Sequence, residues 1–259
     1  MSEKYLGKTF DIHCGGMDLI PTHHTNEIAQ CVACNHVDPV KYWLHPNMLT
    51  VNGQKMSKSL GNSFLPAELF DGSHPLLDQG YSPMTVRFSM LQAHYRSTLD
   101  FSNDALKAAE KGYKRLMNAK SALDQITISG IVNNDEEANV NKLLLATYDA
   151  MNNDFNSAQA IAELNEAASM INTWNSLQNK KANIQEHTLL RLKTLLHHFL
   201  FDILGLLEES ENNNEKLNGV MELVIDIRKD ARGKKDFATS DKIRDALQGV
   251  GIQLKDSKD

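Results

Sequence analysis

Lys55 and Lys58 sit in the string Lys55-Met56-Ser57-Lys58-Ser59, with Gly53 before it and Gly61 after it. These residue types suit a mobile loop that grips a polyphosphate. Ammonium groups supply compact charges, serine hydroxyls and backbone N–H groups supply neutral donors, and glycines let the loop close. When an acyl group attacks a nucleoside triphosphate, charge grows on the departing pyrophosphate, and cations placed there lower the barrier. A bare Lys-x-x-Lys is usually a solvated surface loop; the whole string between glycines points instead to phosphate chemistry. A second cluster lies upstream. His23 and Glu27 are four residues apart and share a face if that segment is helical, and His24 nearly does so too. Imidazole and carboxylate are ordinary zinc ligands, although such a pattern standing alone is more often a polar helix end. Cys31-Val32-Ala33-Cys34 is a Cys-x-x-Cys. On a straight helix Cys31 would lie about 12 Å from His23, at ~1.5 Å per residue. That is too far for one zinc, whose ligand bonds are about 2.0–2.3 Å. Cys31 and Cys34 therefore either form a second site with His36 or are two small buried residues at a helix end. Gly15-Gly16-Met17-Asp18 follows an expected strand and could bring backbone close to a ribose, with Asp18 accepting from sugar hydroxyls; alone, such a string is usually a turn. His13, beside it, is either part of that site or a packed core histidine.

The elements that must carry these groups change character along the chain. In residues 1–64, Thr9–His13 and Met48–Val51 read as strands and Thr25–Ala33 as a helix. Two or three strands can be found where a doubly wound sheet needs about five, so this segment is expected to be the tail of an α/β domain that begins upstream. Pro66 can open a helix. Ser82-Pro83 starts another, expected to turn Val86, Met90, Leu91 and Tyr95 inward. Four apolar stripes at helical spacing follow: Ala105, Ala109, Tyr113, Leu116 and Leu123; Leu143, Leu144, Tyr148 and Met151; Ala158, Ile161, Leu164, Ala168 and Ile171; and Leu190, Leu192, Leu195, Leu196, Phe199 and Ile203. Four amphipathic helices with short connections make a bundle. The polar stretch Glu208–Gly219 reads as a hinge, with helices expected over Val220–Arg232 and Ser240–Leu247. The predicted class is a predominantly α chain: an α/β remnant, a helical bundle and a small C-terminal helical domain.

Composition narrows the setting. The chain has 259 residues, 41% hydrophobic and 23% charged, with a formal net charge of −6, ordinary values for a globular protein with a sizeable core. No run of about 18 apolar residues exists, so no membrane span is expected, and the N-terminus lacks a signal-peptide core. Three cysteines, Cys14, Cys31 and Cys34, cluster in one region, which argues for a reducing compartment; a cytoplasmic location is expected. Arg228-Lys229-Asp230-Ala231-Arg232-Gly233-Lys234-Lys235 packs five cations around one aspartate, either as a solvated helix face or as a contact for RNA phosphates.

The lysine string resembles the signature loop of class I aminoacyl-tRNA synthetases. Residues 10–29, Phe-Asp-Ile-His-Cys-Gly-Gly-Met-Asp-Leu-Ile-Pro-Thr-His-His-Thr-Asn-Glu-Ile-Ala, are similar to one segment of the cysteinyl-tRNA synthetase family. So are Lys41–His45, Asn47–Gly53, Ser82–Phe88, His94–Ser102 and Asn153–Ala158, in the right order over nearly the whole chain. The resemblance implies the end of a Rossmann-like catalytic domain with its lysine loop (1–64), a stem-contact region (65–101), a tRNA-binding DALR-like helical bundle (102–210), and a hinge with a small anticodon-binding domain (211–259). It implies catalytic roles for Lys55 and Lys58, with Lys58 contacting ATP and its departing pyrophosphate; Gly16, Asp18 and His13 as parts of the ATP site; and His23 and Glu27 holding one zinc ion with two upstream cysteines. Such an ion would choose cysteine over serine, which packing alone separates poorly, because zinc binds soft thiolate strongly and a hydroxyl weakly. The implied activity is ATP-dependent joining of cysteine to tRNA(Cys) by a monomer, with this fragment expected to be inactive alone. The alternative is a non-catalytic tRNA-binding or scaffold protein derived from a synthetase; a mycothiol-type cysteine ligase is a third option, against which the long helical half argues. Cys14 stands where the family usually has glycine, Pro21-Thr22 where it has Phe-Pro, and Thr25 where it has glutamate. The family's His-x-Gly-His signature is absent, as expected if it lies upstream.

Overall fold

Strand β1 (Phe10–Cys14) and strand β2 (Val40–Leu44) pair in parallel, with His13 opposite Trp43 and Cys14 opposite Leu44. The computed structural model describes residues 2–177, 180–209, 214–234 and 236–249. A short helix α1 (Ser2–Leu6) precedes β1. The crossover from β1 to β2 runs through a 3₁₀ turn (Met17–Leu19), a π-turn (Ile20–His24) and helix α2 (Thr25–Asn35). Pro21 lies in the first turn of the π segment, where its missing N–H costs nothing. Thr25 Oγ1 donates to the Ile20 carbonyl at 2.7 Å, so the hydroxyl satisfies a carbonyl of the widened turn. The helix predicted from Thr25 thus exists but is entered through a π-turn and runs two residues further. His36, at φ 57°, closes it.

A second sheet carries the lysines. Strand β3 (Leu49–Val51) pairs antiparallel with β4 (Gln54–Lys55) and parallel with β5 (Leu99–Phe101). Asn52 and Gly53 both take positive φ, 50° and 74°, the signature of a two-residue hairpin turn whose twist matches its strands. Asp100 secures this turn: its Oδ1 accepts from Thr50 Oγ1 and from the Gly53 amide, both at 2.7 Å. Helices α3 (Pro66–Asp71) and α4 (Pro83–Leu91) follow, and Leu69, Tyr81, Val86 and Leu106 pack with Val51 and Phe101 in a small core under this sheet.

The larger core belongs to four helices: α5 (Asn103–Gln125), α6 (Asn134–Asn152), α7 (Ser157–Ser176) and α8 (Glu186–His197), the last continuing as a π-turn (His198–Ile203). Short strands β6 (Thr127–Ile128) and β7 (Lys181–Ala182) pair in parallel between them. Phe88, Tyr113, Leu116, Leu164, Ile171, Trp174, Leu192 and Phe199 are buried together. Four predicted core positions are corrected. Met90, Tyr148 and Leu190 are exposed, and Ala105 is exposed while its neighbour Leu106 is buried. Each lies at the margin of its apolar stripe, where one step of 100° decides the face.

The chain divides into two compact units, Met1–Leu207 and Glu208–Asp259. In the second, α9 (Asn214–Gly233) and α10 (Phe237–Gly249) form a helix pair. Helix α9 begins at Asn214, inside the stretch read as a hinge, which corrects that boundary; asparagine and glutamate runs with no proline tolerate helix. Lys235 and the tail Lys255–Asp259 lie outside the described residues. Among the described residues no helix is long and apolar enough to cross a membrane.

Candidate functional site

The parallel register of β1 and β2 sets His13 beside Trp43, ring centroids 4.7 Å apart, and the crossover brings His24 against both and Glu27 against His13. His24 is buried, 3% exposed. Its ring lies 4.7 Å from Trp43 and 5.1 Å from His13, and its Nδ1 is 2.9 Å from His45 Nε2. Burial pushes the His24 imidazole below its ordinary pKa, and the neighbouring His13 and His45 add to that, against a weaker pull from Glu27. A neutral imidazole is the form that ligates metal.

Glycine makes this approach possible. A Cβ on Gly15 would lie 2.5 Å from His24 Cε1 and 2.6 Å from its Nε2. One on Gly16 would lie 2.3 Å from Asp18 Oδ1. The Gly-Gly-x-Asp string is therefore a seat for an imidazole on one side and for the exposed Asp18 carboxylate on the other.

Donor atoms of His13, His24 and Glu27 all fall within 4.8 Å of one another. Glu27 Oε1 is 3.2 Å from His23 Nε2, and Glu27 Oε2 is 3.4 Å from His13 Nε2. Glu27 Oε2 is enclosed and has no hydrogen-bond partner. An enclosed carboxylate oxygen that makes no hydrogen bond is costly, and two imidazoles with a carboxylate are a zinc-type donor set, so the residues present fit a zinc ion. Of the two predicted ligands, Glu27 is central, while His23 reaches it from the solvent side with 60% of its side chain exposed. His24, Trp43 and His45 were not among the predicted site residues. The spacing of Trp43 and His45, two residues apart at the end of β2, was the available signal. Among the described residues the His13, His24 and Glu27 group is the one cluster of metal-ligand type, so Cys31, Cys34 and His36 do not form the second site considered from sequence. All three cysteines are free.

The lysine string leaves β4 at Lys55 and turns through a 3₁₀ segment, Lys58–Leu60. Ser57 caps that turn, its Oγ accepting from the Leu60 amide at 3.3 Å, and Gly61 closes it at φ 63°. Asn62 is buried beneath, 7% exposed. Its Oδ1 accepts from the Ser57 amide at 2.8 Å, and its Nδ2 donates to the Lys55 carbonyl at 3.1 Å. The backbone is held while both lysine side chains stay exposed. The fold brings His23, His24 and Glu27 of the crossover together beside His13 of the first sheet, and carries Lys55 at the end of the second sheet and Lys58 in the turn that follows it.

The family model for the class I (C) tRNA synthetase catalytic domain matches residues 1–111, and that for the DALR domain matches residues 146–208. A protein of Porphyromonas gingivalis named cysteine–tRNA ligase is 48% identical over the whole chain, and one of Phocaeicola vulgatus with the same name is 51% identical; the alignment takes in 52% of each relative. The crystal structure of the Agrobacterium radiobacter K84 agnB2 LeuRS in a ternary complex with tRNA and LeuAMS shares the fold, with a TM-score of 0.52 at 19% identity over 76% of this chain and 28% of that one. The chain thus spans about half the length of the curated relatives it matches, and it belongs to the class I tRNA synthetase family whose members are named cysteine–tRNA ligase.

Proposed function

We propose that this chain supplies the lysine loop, part of the amino-acid site and the tRNA-binding helices of a cysteine–tRNA ligase. The observation that carries this reading is the lysine string, its backbone pinned by the buried Asn62 while Lys55 and Lys58 are exposed. In the proposed reaction the carboxylate of cysteine attacks the α-phosphorus of ATP, the bond to pyrophosphate breaks, and the acyl group of the resulting adenylate passes to tRNA(Cys). Lys58, with Lys55, neutralises charge growing on the departing pyrophosphate, and closure of the loop assembles that charge only when substrate is present. Gly16, Asp18 and His13 border the nucleotide.

A zinc ion held by His23 and Glu27 and completed by two upstream cysteines would supply selective binding of a thiolate; donor atoms of His13 and His24 lie beside Glu27. Glu27 offers the enclosed oxygen. Burial holds the His24 imidazole below its ordinary pKa, and its Nδ1 lies 2.9 Å from His45 Nε2. The reading places the protein in the cytoplasm as a monomer.

The test joins the chain to the upstream half of the Porphyromonas gingivalis relative and measures cysteine-dependent pyrophosphate exchange. Exchange is expected in the joined chain and is reduced by about 10²–10³-fold in Lys58→Ala, the scale of removing one electrostatic stabiliser. Exchange at an unchanged rate in that variant overturns the role given to Lys58. A tRNA titration of the present chain at two salt concentrations, set beside the cysteine-dependent exchange of the joined chain, separates the ligase reading from a purely RNA-binding one.

A further inference from the structure

The connection between α6 and α7 carries two consecutive non-glycine residues in the left-handed region, Asp154 at φ 61° and Phe155 at φ 53°. Such backbone is unfavourable for side-chain-bearing residues and persists where surrounding contacts over-determine it. Here the contacts converge on one carboxylate. Asp154 Oδ1 accepts from the Tyr95 hydroxyl at 2.6 Å, and Oδ2 pairs with Arg96 Nε at 2.8 Å, with His94 Nε2 3.8 Å away. Ser157 Oγ adds a bond to the Leu91 carbonyl at 2.8 Å. The corner of the bundle therefore grips the segment that leaves α4.

The backbone of that segment is bonded on its other side to the start of the lysine hairpin. The Asn47 amide donates to the Tyr95 carbonyl at 2.8 Å, and Asn47 Nδ2 donates to the Arg96 carbonyl at 2.9 Å. Two residues further, β3 runs alongside β5, and Asp100 of β5 holds the Gly53 amide. The path from Asp154 to the hairpin is thus Tyr95 and Arg96, then Asn47 by hydrogen bonds, then along the chain into β3 and its ladder with β5. Nothing in helix packing requires a charged anchor at this corner, since α6 and α7 already share the main apolar core.

We propose that Asp154 is a positioning residue for the lysine loop: it fixes the Tyr95–Arg96 segment against the bundle and so sets where the β3–β4 hairpin presents Lys55 and Lys58. The consequence rests on the reading of that loop as the pyrophosphate-gripping element, but the coupling itself does not. It can be measured on this chain by amide hydrogen exchange, resolved by residue. In Asp154→Ala, exchange over Gly53–Gly61 is expected to rise about tenfold, the scale of losing a charge-assisted bond. Core amides of α6 and α7, such as those of Leu144 and Leu164, should stay unchanged. Asp154→Asn keeps an acceptor for Tyr95 and should show a smaller rise. Tyr95→Phe removes one hydroxyl only, and should raise loop exchange without adding fully to Asp154→Ala in the double variant. Loop exchange that stays at the parent rate in Tyr95→Phe and Asp154→Asn, or that rises only in step with the bundle core, overturns the proposal. Pyrophosphate exchange in Lys58→Ala tests the reading of the loop separately, so the two failures are distinguishable.

Discussion

Gly15→Ala and Gly16→Ala look alike in sequence and should differ sharply in consequence. Both would put a Cβ well inside contact distance, 2.5 Å from His24 Cε1 in one case and 2.3 Å from Asp18 Oδ1 in the other. Carbon atoms pack best at about 3.5–4.0 Å, so each neighbour must retreat by roughly 1 Å. Asp18 is exposed and its carboxylate can swing into water, which leaves Gly16→Ala within about 0.5 kcal/mol of the parent. His24 has no such freedom. Trp43 and His13 flank its ring at 4.7 and 5.1 Å, and its Nδ1 is bonded to His45 at 2.9 Å. Displacement by 1 Å breaks that bond, at about 1 kcal/mol, and overpacks the site at about 1–3 kcal/mol more. A thermal melt followed by circular dichroism should show Gly15→Ala lower by about 5–15 °C, at ~2–4 °C per kcal/mol for a body of this size. Trp43 fluorescence, read in a Trp174→Phe background, should shift in Gly15→Ala alone. Equal melting temperatures for the two variants would refute the claim that Gly15 exists to seat His24.

Glu137 caps the start of α8: it accepts from the Gln185 amide at 2.9 Å, from Asn141 at 3.1 Å and from the Thr188 hydroxyl. Glu137→Ala should cost about 1–3 kcal/mol, measured by urea unfolding. Burial works against the Glu137 charge, but the bonds from Thr188, Gln185 and Asn141 outweigh it and hold the carboxyl below its ordinary value of 4.5. Its stabilisation is therefore complete above about pH 4.5 and is lost as pH falls through the lower folded value, because the unfolded chain then binds the extra proton; the parent should lose more stability than Glu137→Gln between pH 5 and 3. Asn62→Ala should speed tryptic cleavage after Lys55 and Lys58 several-fold while leaving the melting temperature of the bundle in place; an unaltered cleavage rate would remove Asn62 as the pin of the loop. Added zinc should raise the melting temperature of the parent through preferential binding to the folded form, and the rise should vanish in Glu27→Gln.

Much of the helical half was legible because a period of 3.6 survives in the residues themselves. Tyr113, Leu116 and Leu123, or Ile161, Leu164 and Ile171, mark a buried face without reference to anything distant. The turns were legible for the same reason, since Asn52-Gly53 and Ser82-Pro83 specify local backbone geometry. Margins were not. Whether Leu106 or Ala105 points inward depends on what α5 packs against, and the residues flanking a stripe carry no record of that partner.

The chemistry divides along the same line. Residue identity and spacing alone determined that Lys55 and Lys58 share a short loop and that His23 or His24 can share a helix face with Glu27. Neither the presence of His13, Trp43 and His45 around His24 nor the choice of His24 as the enclosed imidazole could be read there. Those depend on the parallel register of β1 with β2 and on the π-turn that rotates His24 inward, and both are settled by packing between segments about 30 residues apart. Asp154 is the clearest case. In sequence it is a polar residue in a helix connection; only the meeting of that connection with Tyr95 and Arg96, 59 residues away for Tyr95, makes it an anchor, because a carboxylate acquires a role from the donors that tertiary structure brings to it.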